Sequence, residues 1–325
     1  MGAGVLGARV AREIVSEDDD ATVALVSSRP ERRAELARSF GRSVLIVEPG
    51  GDTGAELPSS VEVVVLCGED STQAEAAHRH IREGRHVVST ADSPETVAAL
   101  LSLGPRAEDA GLCLSVGTAF SPGLSCLLAA QAAGWMDRVD EIHVARHGAA
   151  GPSCARRRLS SLRDRCLEWR DGEWLERSSG SGRELAWFPD PIGGRDCFRA
   201  SSAEPLLLVD AVPGLDRATV RAVMNRRDVV ARLAPVWIPA PAEGGMGAIR
   251  VEVRGRIGTS RETVVLGALD RPGVAAAAVV AEVVAAIRRG EAPLGAHGLA
   301  AWADPSGVLV ALRRRGVRVA RLVGD

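Results

Sequence analysis

The chain has 325 residues, a net charge of −2, 46% hydrophobic residues and 3% aromatics. That length fits two domains rather than one small core, and the charge balance and scarce aromatics exclude a broad basic or stacking surface for nucleic acid. The sequence contains no tyrosine and no lysine, which excludes a lysine Schiff base, a P-loop lysine and a tyrosine–lysine proton relay.

Glycines dominate the opening residues, Gly2-Ala3-Gly4-Val5-Leu6-Gly7. This GxGxxG spacing bends a strand into a helix and lets backbone N–H groups approach a diphosphate. The central parallel strand of such a fold ordinarily precedes the turn, yet only Met1 stands before it. Either that strand lies upstream of this sequence or the fold has lost it.

Leu6, Val10 and Ile14 then repeat at helical spacing. A strand over 22–26, a helix over 30–40 and a short strand over 44–47 follow. The continuous apolar run 61–66 reads as a strand buried on both faces. A helix over 72–83, a strand over 86–89, a helix over 93–103 and a strand over 112–116 continue the alternation. Ser121-Pro122-Gly123 opens a helix to about residue 133. This is the pattern of a doubly wound parallel sheet, a Rossmann-type dinucleotide-binding α/β domain over residues 1–137.

The character changes near Asp137. Residues 138–268 are expected to form a second α+β domain for substrate binding or dimerisation. It begins with a strand over 142–145, holds an Arg/Ser/Gly-rich stretch from 153 to 185 that resists assignment, and includes a hairpin turning at Gly258. Residues 206–212 and 219–224 suit short strands or helices. Asp270-Arg271-Pro272 signals a helix start with Asp270 as N-cap, running to Arg289 and stopping at Gly290. A helix over 306–315 and a strand over 317–322 finish the chain, so residues 269–325 read as a C-terminal segment of helices returning to the nucleotide domain.

The six cysteines show no metal spacing, and with no signal-peptide pattern they read as reduced cytoplasmic thiols. The most apolar stretch, residues 274–287, is interrupted by Glu282 and is shorter than the roughly 20 residues a bilayer requires. Neither a membrane, a nucleic-acid partner nor a metal centre is expected.

Gly2, Gly4 and Gly7 are the candidate diphosphate cradle. At the tip of the second strand, NAD enzymes place an acidic residue on the ribose 2′-hydroxyl. This chain has Ser27-Ser28-Arg29, with Arg32 and Arg33 behind. Two hydroxyls and a guanidinium suit a 2′-phosphate, so Ser28 and Arg29 point to NADP(H) rather than NAD. Ligands of doubly wound sheets sit beyond the carboxyl ends of the strands, which puts Thr90 and Gly117 beside the nicotinamide. Cys67-Gly68-Glu69-Asp70 and Asp92 share that rim, Cys67 reading as a small buried hydrophobe. Among the histidines, His78 and His80 read as surface residues, His86 as structural, and His297 has no evident partner. His143 and His147 share a face of the first strand of the second domain. His147 is the acid/base candidate, since its ordinary pKa lies near neutrality. Arg146 is the candidate anchor for a substrate anion. Arg156, Arg157 and Arg158 could serve too, but an arginine run is more often solvated.

Four stretches resemble the saccharopine dehydrogenase-like group of NAD(P)-dependent oxidoreductases: the glycine turn; His86-Val87-Val88-Ser89-Thr90-Ala91-Asp92; Gly117 through Ser121-Pro122-Gly123-Leu124; and Val251-Glu252-Val253-Arg254-Gly255 through Asp270-Arg271-Pro272. The resemblance implies a Rossmann domain, a second domain on a mostly antiparallel sheet, and small polar substrates such as amino acids, imines or carbonyl compounds. It also raises a homodimer through the second sheet. The chain has no lysine to match the catalytic one of related glucose–fructose and myo-inositol oxidoreductases, so protons must move through His, an acid, Cys or water. A non-catalytic nucleotide-binding sensor or assembly protein on the same fold is the alternative.

Overall fold

The computed structural model describes residues 2–18, 21–41, 44–48, 57–163, 165–224 and 244–322. Its elements follow the apolar periodicities closely in the first half. Helix α1 (Val5–Glu17) starts directly on Gly4, strand β1 spans Val23–Val26, helix α2 Pro30–Phe40 and strand β2 Val44–Val47. Strand β3 (Val63–Leu66), helix α3 (Gln73–Arg82), strand β4 (His86–Ser89), helices α4 (Pro94–Leu101) and α5 (Gly104–Asp109), strand β5 (Cys113–Val116) and helix α6 (Leu124–Ala133) complete the alternating part. Pro at the first turn of α2, α4 and α5 supplies a ring torsion already suited to a helix start.

The second part opens on the long strand β6 (Arg138–His147). The stretch that resisted assignment forms helix α7 (Pro152–Ser161), the hairpin β7 (Arg165–Arg170) and β8 (Glu173–Ser178), and strand β9 (Glu184–Phe188). Strand β10 (Gly193–Arg199), helix α8 (Glu204–Ala211) and strand β11 (Arg217–Val223) come next. The hairpin of β12 (Gly247–Ile257) and β13 (Ser260–Asp270) turns at Gly258. Helix α9 (Pro272–Arg288), strand β14 (Gly295–Gly298), helix α10 (Pro305–Arg314) and strand β15 (Arg318–Arg321) end the fold. Asp270 closes β13 instead of capping α9; its Oδ1 accepts from the Arg271 N–H at 2.6 Å.

Three sheets result. β1 and β2 pair in parallel as a two-stranded sheet, and β14-β5-β4-β3 form a four-stranded parallel sheet. A mostly antiparallel nine-stranded sheet runs β15-β13-β12-β6-β11-β10-β9, with β7 and β8 attached to β11. Among the described residues no strand pairs β1 with β3. Strand β3 is buried at Val64 and Leu66 and half-buried at Val63 and Val65, against the expectation of full burial on both faces. The segment 269–325 holds strands as well as helices: β14 joins the parallel sheet and β15 the antiparallel one.

Helix α1 joins the two parallel sheets. Val10 packs into the main core, whereas Ala3 and Ala11 belong to a separate cluster with Leu25, Leu36 and Val44. The main core is continuous across the molecule, from Val87 and Leu114 through Leu127 and Leu128 of α6 to Ile142 and Val251. Helix α9 is apolar on nearly every side, Glu282 and Arg288 excepted, and is almost wholly buried, as such a helix must be in water. A third cluster fills the other face of the antiparallel sheet with Ala145, Phe188, Cys197 and Ala248. None of the six cysteines is bridged, and no described helix is long and apolar enough to cross a membrane.

Candidate functional site

The glycine turn shows which of its three glycines is steric and which is open. Gly2 has φ +100°, and a Cβ there would stand 2.6 Å from the Cys67 carbonyl carbon and the Gly68 nitrogen. A Cβ on Gly7 would stand 2.0 Å from the Gly2 oxygen. These two glycines let the turn close on itself and on the tip of β3. Gly4 differs: a Cβ there would meet nothing within 4 Å, and as the N-cap residue it brings no side chain to the N–H groups of α1 that follow. An uncapped helix start with open space at its first carbon is the arrangement that receives a diphosphate, through free amides and the positive end of the helix dipole. The turn therefore fits the group that the fold implies.

Beside it, the tip of β1 carries the second part. Ser27 is buried, while Ser28 and Arg29 are exposed. Arg32 donates from Nε to the Ala3 carbonyl at 2.8 Å, tying α2 to the glycine turn. Arg33 donates to the Ser27 carbonyl at 2.9 Å and to Glu48 at 2.8 Å. Of the three arginines in this segment, Arg29 alone has no side-chain partner among the described residues.

The strand tips of the four-stranded sheet are stitched to one another. Thr90 donates from its backbone N–H at 3.1 Å and from Oγ1 at 2.9 Å to the Leu66 carbonyl. The Thr118 N–H donates to the Ser89 carbonyl at 2.7 Å, which holds Thr90 and Gly117 side by side. Gly117 has φ +66°, and a Cβ there would stand 2.9 Å from Leu207 and 3.0 Å from Pro122. Burial of the sulfur pushes the Cys67 thiol up to about 11, so at neutral pH it is an uncharged thiol, though the residue is half-buried rather than the fully buried hydrophobe expected.

Across the rim, β6 delivers Arg146. Its guanidinium donates from Nη1 to the Ser121 carbonyl at 3.2 Å, reaches the Ser161 hydroxyl at 3.4 Å and lies 3.7 Å from the Asp92 carboxylate. Its Nε is buried with no hydrogen-bond partner. Arg157 of α7 donates to Asp92 at 2.8 Å, and Asp92 in turn follows Thr90 by two residues. Burial raises the Asp92 carboxyl above the ordinary carboxylate value, against the pull of Arg146 and Arg157. Behind this cluster Glu204 is fully buried and accepts from the hydroxyls of Ser121, Ser125 and Ser202.

His147 does not join this group. Successive residues of a strand face opposite ways. Arg146 pairs with Ile249 of the main core, whereas His147 pairs with Ala248 of the other cluster, and its ring lies 6.4 Å from Phe188. The expected pair of Arg146 and His147 is thus split across the sheet. His143, on the His147 face, bonds Thr219 and Glu141 at 2.8 Å each, and burial lowers its pKa. His80 is fully buried rather than on the surface: it stands on the inward stripe of α3 and bonds Glu83 at 3.1 Å. His86 is structural, accepting from the Cys113 N–H at 3.0 Å, and His297 meets the Leu294 carbonyl at 2.9 Å. Reading for single residues missed Arg157 and Asp92 as a unit. The one signal was an acid just past a parallel strand, with an arginine run following the domain junction.

No family model matches the chain, and no curated protein matches its sequence. A solved structure does. Apo saccharopine dehydrogenase (L-Glu forming) from Saccharomyces cerevisiae superposes with a TM-score of 0.71, covering 99% of this chain and 98% of its own, at 12% identity. This chain has the fold of saccharopine dehydrogenase. Amine dehydrogenase from Mycobacterium smegmatis is more distant, with a TM-score of 0.46 at 13% identity over 91% of this chain and 92% of its own. The saccharopine dehydrogenase fold accounts for the pairing of a parallel sheet with a large, mostly antiparallel one, as the motif order implied.

Proposed function

We propose that this protein is an NADP(H)-dependent oxidoreductase acting on a small polar metabolite, an amino acid, imine or carbonyl compound. The observation that carries the reading is the open Gly4 at the start of α1, together with an exposed Arg29 whose side chain has no partner among the described residues. In this reading Gly2, Gly4 and Gly7 receive the diphosphate, and Ser28 and Arg29 hold the 2′-phosphate. Thr90 and Gly117 border the nicotinamide. The bound coenzyme supplies hydride chemistry; the chain binds, orients and moves protons. Arg146 and Arg157 hold an anionic group of the substrate by charge-assisted hydrogen bonds. His147 was the acid/base candidate on residue type, but Asp92, which shares the rim with Thr90, is the better placed proton carrier.

The six unbridged thiols fit a reducing compartment. The exposed Leu185 and Trp187 on edge strand β9 are where a homodimer would bury surface. A non-catalytic nucleotide-binding sensor or assembly protein is the second reading, favoured by one observation: Arg146 and Arg157 are both already engaged with the Asp92 carboxylate. Fluorescence titration with NADPH and NADH tests the nucleotide assignment, and absence of binding to either would end it. Turnover of NADPH or NADP⁺ across a panel of amino acids, imines and keto acids then separates enzyme from sensor.

A further inference from the structure

Strands β3 and β4 run parallel in a register that pairs Leu66 with Ser89. The chain segments leaving their carboxyl ends meet again a few residues on, which sets Asp70 beside Asp92 although 22 residues separate them in sequence. Asp70 opens the single 3-10 turn Asp70–Thr72, but its side chain bonds across the rim rather than within that turn. Its Oδ1 accepts from the Asp92 N–H at 2.9 Å, and its Oδ2 accepts from the Ser93 hydroxyl. The same hydroxyl caps α4 by accepting from the Thr96 N–H at 3.3 Å.

Asp92 is held at both ends of its backbone, because its carbonyl accepts from the Ala203 N–H at 3.1 Å. With the backbone fixed, its carboxylate lies 2.8 Å from Arg157 and 3.7 Å from Arg146, and its side chain keeps 22% exposure. The charged and titratable groups facing that carboxyl are Arg146 of β6, Arg157 and Cys154 of α7, and Asp70. Burial raises the Asp92 carboxyl; the two guanidinium groups pull it down and Asp70 pushes it up. Cys154 is an uncharged thiol at neutral pH, its pKa pushed up by burial of the sulfur and by Asp92. Asp70 is thus the one anion in this set.

We propose that Asp70 is the positioning residue for Asp92: it fixes the turn after β4 so that the Asp92 carboxyl faces Arg146 and Arg157, and it sets a second negative charge beside that carboxyl. A clip for the turn alone would need only a hydrogen-bond acceptor at this place. A carboxylate adds a like charge that opposes the two arginines, which brings a proton-exchanging carboxyl closer to its working pH. The inference rests on the reading of Asp92 as the proton carrier, and its first test is a property that needs neither coenzyme nor substrate.

Carbon-13 NMR of the full chain, labelled at the aspartate carboxyl carbon, follows the titration of Asp92, whose signal is identified by its loss in Asp92→Asn. Asp70→Asn keeps an acceptor for the Asp92 N–H and removes the charge. The proton affinity of Asp92 is expected to fall about threefold or more in Asp70→Asn and to recover in Asp70→Glu, which restores the charge. Amide hydrogen exchange reads the positioning: the Asp92 N–H should exchange about tenfold faster in Asp70→Ala, which offers no acceptor, and less so in Asp70→Asn. An Asp92 titration unmoved in Asp70→Asn, or an Asp92 amide as slow in Asp70→Ala as in the parent, overturns the proposal. The pH profile of NADPH turnover across the panel of imines and keto acids should move with the Asp92 titration. A moved titration with an unmoved profile upholds the pairing of Asp70 with Asp92 and removes Asp92 as the proton carrier.

Discussion

Gly4→Ala separates a binding glycine from a folding one. The backbone at Gly4 is extended, φ −71° and ψ −166°, a region alanine adopts freely, and its Cβ would meet nothing within 4 Å. The substitution should leave folding intact, and by narrowing the unfolded ensemble it should stabilise by about 0.4–1 kcal/mol. Binding should respond in the opposite direction. A methyl group at the first carbon of the cradle pushes the diphosphate off the α1 amides. Losing one or two charge-assisted hydrogen bonds costs about 2–4 kcal/mol, which raises the NADPH Kd from about 30-fold to nearly a thousandfold. Gly7→Ala is the counterpart, because its Cβ would stand 2.0 Å from the Gly2 oxygen and the turn itself must open. It should lower the melting temperature as well as abolish binding. The assay is a fluorescence titration with NADPH alongside thermal melting by circular dichroism. A folded Gly4→Ala protein that binds NADPH as the parent does would refute the reasoning.

Other outcomes follow from the same geometry. Arg29→Ala should weaken NADPH binding about tenfold while leaving NADH and the melting temperature unchanged, because the side chain is exposed and unpartnered; equal loss of both coenzymes would rule out a 2′-phosphate contact. In the turnover assay His147→Gln should retain activity and Asp92→Asn should lose it by about a hundredfold or more; the reverse order would restore His147 as the proton carrier. His80, His86 and His143 have pKa values lowered by burial. The unfolded chain therefore binds more protons below the ordinary value of 6.5, so stability held above that pH is lost as pH falls through the lower folded values. Melting curves from pH 7.5 to 5 should show this decline, and His143→Gln should flatten it; a melting temperature that rises on acidification would contradict the sign.

The alternation of short apolar runs with amphipathic segments was enough to reveal the doubly wound half, because each strand and helix there carries its own period. The bounds of α2 and β2 were readable to the residue from Pro30, the charged face after it and the run at 44–47. The stretch from 153 to 185 was not, since β8 is exposed along nearly its whole length and has no alternation to read. The glycine turn was legible because glycine carries its conformational meaning in its identity. Gly2 and Gly7 are where a side chain would collide, and Gly4 is where one would meet open space.

Sequence alone determined the class of fold, the glycine turn and the arginine-bearing edge, all local patterns set by neighbours within a few residues. Tertiary structure decided what those patterns could not contain. It decided that the face of β6 bearing Arg146, and not the one bearing His147, meets Asp92 and Ser121. It brought Asp92 and Arg157 together across 65 residues of chain, and it drew α1, α9 and α10 around a buried arginine. Partners distant in sequence are chosen by packing, and no local period records which side of a sheet will meet which helix.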